Sequence, residues 1–245
     1  MADDIWRIHE TGPALTIRLA RPTPALPAPL AAEVATLWQA AQHAAGGRLF
    51  NGRVFSADTI TPARIDGHWT EFRRVVAQMR RPALFAALGI RPLAVGGVIV
   101  GRDFVLFGRR PADAVYQPGE WQLPPAGSLD PGAAGADGTL DPLRQLHAEL
   151  AEELGLPPHA VSAPRPLVIV EHPGSHVCDL GIALATEWEE GAIRAAHAAR
   201  GNAEYAALAF VAPADLPGFL ARHAGRVTRQ APAFLRGAGL LPAFP

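Results

Sequence analysis

Residues 14–20 (ALTIRLA) alternate apolar and polar positions, the period of a half-buried strand. Pro29 then opens a helix running to about Ala45. Residues 48–66 suit two short strands, with the turn at Asn51-Gly52. Residues 69–88 carry a helical pattern broken at Pro82. At Ile90 the character changes. Residues 93–100 (LAVGGVIV) form an apolar, β-branched run, Arg102-Asp103 a turn, and 104–108 a second strand. A short strand at 121–123 ends at Pro124-Pro125, and a Gly/Ala/Asp-rich loop fills 127–140. After a strong helix at 141–154, strands are predicted at 166–171, 177–186 and 205–211, with helices at 188–199 and 213–223. The tail after Arg226 is rich in Pro and Ala, with room for one short helix.

Strands and helices mix without regular βαβ alternation, which predicts an α+β fold, a mixed α/β sandwich. The 245 residues divide into an N-terminal extension of strands and helices at 1–89 and a larger domain at 90–245. Hydrophobic residues make up 49% and charged residues 18%, enough to bury a core and too apolar for wholesale disorder. A net charge of -1 supplies no basic tract, so nucleic acid is not the expected partner. Cys178 is the single cysteine, which excludes an internal disulfide and a cysteine zinc ribbon. The start, MADDIW, is acidic where a signal peptide is basic, and the longest apolar run, 93–100, is too short to span a bilayer. No membrane partner and a cytoplasmic location are therefore expected, with a homodimer as the assembly considered.

The best-specified element is the helix at 141–154. Asp141 and Pro142 make a helix start, Gly155 a stop, and Pro157-Pro158 prevents resumption. With Glu149 set at zero, Leu146, Leu150, Leu143 and Leu154 fall at roughly 60°, 100°, 120° and 140° around the axis. That is one core-facing stripe. Glu152 and Glu153 fall at roughly -60° and +40°, so three carboxylates share the side beside it. Like charges on one helix face repel, and a hard divalent cation with several oxygen ligands removes the repulsion. A solvated acidic face is the plainer reading of such a pattern.

Context favours the first. Residues 148–156 (AELAEELGL) resemble the Nudix box, R-E-U-x-E-E-x-G-U, where U is a bulky aliphatic residue. Eight of those nine positions comply, from Glu149 to Leu156. Trp121–Gly127 (WQLPPAG) resembles the family's W-x-x-P-G-G strand and loop, and Phe107-Gly108-Arg109-Arg110 a strand end where the family often keeps an arginine near substrate. The resemblance implies a Nudix fold holding Mg²⁺ or Mn²⁺ on Glu149, Glu152 and Glu153. It implies hydrolysis of a diphosphate linkage in a nucleotide-derived small molecule. Arg109 and Arg110 are then candidates to clamp phosphate oxygens, with Trp121 and Gly127 lining the substrate. The general base is Glu149 or a later carboxylate, Glu171 or Asp179. His147, opposite the glutamates, is expected to be structural or exposed, and His172 and His176 flank Pro173-Gly174 in a loop, with a further metal-ligand role for either as the minor alternative.

The pattern is broken in two places. The box arginine is replaced by Ala148, and Arg144, one turn earlier, is the candidate to supply a guanidinium to the same face. The loop from Gly127 to position 148 exceeds the family spacing, and the upstream glutamate has no counterpart. Both departures resemble a rarer branch, the UDP-glucose and UDP-galactose diphosphatases. Leu49-Phe50-Asn51-Gly52, Thr70-Glu71-Phe72-Arg73 and the Gly-rich insertion resemble that branch too, which would turn Asn51 and Arg73 towards nucleotide. Other substrates, ADP-ribose, coenzyme A or another dinucleotide, remain alternatives. So does a catalytically weak module that binds nucleotide and regulates.

Overall fold

The computed structural model describes residues 6–114 and 117–243. The acidic start that argued against a signal peptide lies almost wholly outside them. The chain is α+β. Its elements, in order, are β1 (Arg7–Glu10), β2 (Thr16–Leu19), α1 (Ala28–Ala44), β3 (Arg53–Ile60), β4 (Arg64–Glu71), α2 (Phe72–Arg80), α3 (Phe85–Leu88), β5 (Leu93–Val100), β6 (Val105–Arg109), β7 (Trp121–Gln122), β8 (Ala126–Ser128) and β9 (Thr139–Leu140). There follow α4 (Pro142–Leu154), β10 (Ser162–Glu171), β11 (Cys178–Ala185), α5 (Glu190–Arg200), β12 (Ala207–Val211), α6 (Leu216–Arg222) and α7 (Ala231–Gly237). Among the described residues no helix is long and apolar enough to cross a membrane.

Two compact units emerge. The first takes the chain through Ala94 and adds Ser128–Pro142 and Glu171–Cys178; the second takes Val95–Gly127, Leu143–Val170 and Asp179–Pro245. A single cut at Ile90 leaves those two added segments with the larger domain. Their backbone pairing puts them with the first unit. The Gly-rich insertion is no plain loop either, because β9 pairs antiparallel with β2, Ile17 opposite Leu140.

The first unit is built on a sheet ordered β3-β4-β2-β9, with β2 parallel to β4. The hairpin of β3 and β4 turns at Thr61–Arg64, where the Thr61 hydroxyl oxygen accepts from the Arg64 amide at 3.0 Å. It does not turn at Asn51-Gly52, and Trp69–Glu71 is strand rather than helix. Cross-strand pairing of Phe55 with Trp69 and Val54 with Thr70 outweighs the local helical pattern. Asn51 has another task. Its Oδ1 accepts from the Arg73 amide at 2.8 Å, capping the first turn of α2 from a distant part of the chain. That helix stops at Arg80, before the break expected at Pro82.

The second unit orders its strands β10-β11-β5-β6-β12, with β7 on β6 and β8 on β5. Strand β5 is apolar on both faces because both are covered. It runs antiparallel to β6. It runs parallel to β11, since the Cys178 amide meets the Pro92 carbonyl at one end and the Thr186 amide meets that of Val100 at the other. Leu146, Leu150 and Leu154 of α4 are all 0% exposed, the stripe read from the sequence.

Candidate active site

Helix α4 is fixed at its C-terminus by three backbone bonds. The carbonyls of Leu150, Ala151 and Glu152 accept from the amides of Leu156, Gly155 and Asn202. Gly155 adopts a left-handed φ of 66°. A β-carbon there would also lie 2.6 Å from the Ala196 carbonyl oxygen, so only glycine fits. The Arg200 guanidinium donates twice to the Gly155 carbonyl, at 3.0 and 2.8 Å. The register of the glutamates upstream is therefore rigidly set.

The structure brings two of the three box glutamates together. Glu153 is 3% exposed, and its Oε2 accepts from the Ala126 amide at 3.1 Å and from the Tyr205 hydroxyl at 3.0 Å. Glu149, one turn earlier and half-buried, accepts from the Gln145 side-chain amide at 2.8 Å. Its carboxylate lies against Gly127 so closely that a β-carbon there would sit 1.8 Å from Oε1. The small residue at Gly127 is a clearance for Glu149. Glu152 is exposed. Among the described residues no group of three or more His, Cys, Asp or Glu side chains is placed to hold a metal ion.

Burial pushes the Glu153 carboxyl well above the ordinary glutamate value, and the charge of Glu149 pushes it the same way; the amide and hydroxyl donors only partly offset this. Two carboxylates on one face of a helix, one of them raised by the charge of the other, fit a hard divalent ion. Mg²⁺ commonly binds through one or two carboxylates plus substrate phosphates and keeps several waters. The pair passes that test of donor chemistry.

The arginines divide. Arg110 is taken by an ion pair with Glu204. Arg109 is exposed, and its guanidinium lies 5.7 Å from the centre of the Trp121 ring. The other partners of Trp121 are Phe219 at 5.5 Å and His223 at 5.6 Å. Arg144 is exposed and pairs with no carboxylate among the described residues, as Ala148 is exposed beside it.

Solved structures similar to this chain were found among Nudix hydrolases. One from Nitrosomonas europaea has a TM-score of 0.44 and 14% identity, covering 63% of this chain and 92% of that one. A MutT Nudix hydrolase from Burkholderia pseudomallei has a TM-score of 0.39 and 20% identity, covering 60% and 96%. An Ap4A hydrolase from C. elegans has a TM-score of 0.40 and 16% identity, covering 62% and 99%. No family model matches the chain, and no curated protein matches it.

Of the remaining candidates, Asn51, Arg73 and Glu171 belong to the first unit, and Asp179 to the second with the glutamate pair. Asn51 caps α2, and the Arg73 guanidinium donates to Glu71 at 2.9 and 2.7 Å, so both are engaged within the first unit. Glu171, 3% exposed, is held there between His9 at 3.0 Å and His176 at 3.1 Å. The ring of His176 stacks on Phe85, and His172 accepts from the amides of Gly174 and Ser175. Both histidines are thus engaged within the first unit. Asp179 lies at the start of β11, and burial pushes its carboxyl up to about 7. Its strand β11 neighbours β5, with which β8, the strand of Gly127, also pairs.

The sequence did not point to Tyr205 or Gln122. Each is buried, and the Gln122 amide donates to the Tyr205 hydroxyl oxygen at 2.5 Å. A polar residue paired in a core has no periodicity of its own to betray it.

Proposed function

We propose that the second unit is a Mg²⁺- or Mn²⁺-dependent hydrolase of the Nudix type, cleaving the diphosphate linkage of a nucleoside diphosphate derivative. A UDP-sugar, giving UMP and a sugar 1-phosphate, is the first substrate to test. The observation that carries the reading is Glu153. It is a buried carboxylate, 3% exposed, raised by its burial and by the charge of Glu149 beside it, within a sequence that fits eight positions of the box.

Glu149 and Glu153 would hold the ion. Glu152 enters the set through its place in the box rather than its surroundings. When bound, the ion supplies neutralisation of the diphosphate and a lowered pKa for water. The protein's own groups do the rest. The Gly127 backbone keeps Glu149 in place. Arg109, exposed and braced on Trp121, is the arginine left to meet phosphate, since Arg110 is committed to Glu204. Asp179, with a carboxyl near 7, is suited to take a proton from water at neutral pH. Asn51 and Arg73 stay in the proposal as residues towards the nucleotide only through the branch resemblance.

A second reading is a weak or non-catalytic module that binds nucleotide. The exposed Ala148, at the position where the box has an arginine, favours it. Phosphate released from a panel of UDP-sugars, ADP-ribose, coenzyme A and dinucleotides, with Mg²⁺ and added phosphatase, decides between them. The hydrolase reading expects turnover of one class and its loss in Glu153→Gln. Preference for ADP-ribose removes the UDP-sugar. No turnover by either protein leaves the binding module.

A further inference from the structure

Three buried polar side chains in the second unit form a directed chain. The Gln122 side-chain amide donates to the Tyr205 oxygen at 2.5 Å, and the Tyr205 hydroxyl donates to Glu153 Oε2 at 3.0 Å. All three are nearly sealed, at 6%, 3% and 3% exposure. The direction is forced. A glutamine N–H can only donate, so the Tyr205 oxygen is occupied as an acceptor and its proton must go to the carboxylate. The sheet fixes the ring as well. Gly108 of β6 pairs with Gln122 on one side and Leu208 on the other, and a β-carbon at Gly108 would lie 2.4 Å from Cδ1 of Tyr205. The Ala126 amide is the second donor to the same oxygen. Oε2 thus receives both hydrogen bonds, while Oε1 accepts none among the described residues.

We infer that Tyr205 and Gln122 are positioning residues: they hold Glu153 by Oε2 so that Oε1 is the oxygen left to a divalent cation. This rests on the metal-dependent reading above. It adds a specific device, a carboxylate aimed from behind by a neutral donor rather than by the arginine that Ala148 lacks. Outer partners of this kind set the orientation of a ligand, and their loss typically weakens metal binding by about ten- to a hundredfold.

The test is titration of the metal-free full chain with Mn²⁺ alone, following free Mn²⁺ by electron paramagnetic resonance, with thermal unfolding measured in parallel. Tyr205→Phe should bind Mn²⁺ about tenfold more weakly. It should also unfold earlier, because the Gln122 amide loses its acceptor. The double variant Tyr205→Phe/Gln122→Leu removes that orphaned donor. It should regain stability without regaining affinity, and it carries the test if the single variant does not fold. A double variant that binds Mn²⁺ as the unaltered protein does overturns the positioning role and leaves the metal centre standing. An unaltered protein that binds no Mn²⁺ overturns the centre itself, and the role with it.

Discussion

Glu153 in the second unit and Glu171 in the first are equally buried, at 3% exposure each, yet their carboxyls move in opposite directions. Burial raises both. At Glu171 this is outweighed by hydrogen bonds from His176 and His9 and by the charge of Arg91, and the carboxyl falls below its ordinary value. At Glu153 burial is reinforced by the charge of Glu149, of the same sign, and the carboxyl rises. A buried carboxylate held by hydrogen-bond donors and the charge of Arg91 is a finished piece of structure. One raised further by another carboxylate is a candidate to meet a cation. The contrast separates a structural acid from a candidate ligand without reference to any motif.

The strongest way to break the comparison is to neutralise each acid in turn. Glu153→Gln should lower kcat/KM by about a thousandfold, since metal stabilisation of transition-state charge is worth several kcal/mol. Glu171 was also a candidate base, and the comparison assigns it structure instead. Loss of turnover in folded Glu171→Gln, matching that of Glu153→Gln, would erase the distinction. Asp179→Asn should cost about a hundredfold. In the unaltered protein kcat/KM should rise as pH passes through about 7 and the base loses its proton, and this limb should vanish in the variant.

Stability sharpens the contrast further. Glu171→Gln should cost about 2 kcal/mol in urea unfolding at neutral pH, the scale of hydrogen bonds to a charged group. Its folded value is lowered, so its contribution is complete above the ordinary 4.5 and is lost as pH falls towards the folded value. Glu171→Gln should therefore flatten the acid side of the stability profile. Glu153 has the opposite sign. Its raised value makes the metal-free protein lose stability as pH rises above 4.5, and Glu153→Gln should remove that loss. The smallest effect is expected at Arg144→Ala. An exposed side chain with no carboxylate partner should change stability by less than about 0.5 kcal/mol. A large fall in kcat there would restore the guanidinium to the site.

Much of this molecule is determined by its sequence alone. The α4 span, its leucine stripe and the strand β5 follow from period and from Pro and Gly at fixed places, because such signals act over a single turn or strand. The glutamates Glu149 and Glu153 are legible for the same reason, four residues apart on one face. Other features depend on segments distant in the chain. Asn51 looks like a hairpin turn until Arg73 is folded beside it, and Trp69–Glu71 looks helical until β3 pairs with it. The insertion at 127–140 reads as loop until β2 pairs with its strand. Only the folded chain parts Glu152 from its neighbours, commits Arg110 to Glu204 and sets Tyr205 behind Glu153. A sequence carries local periodicity, whereas burial and the pairing of polar groups are properties of the space that distant residues enclose.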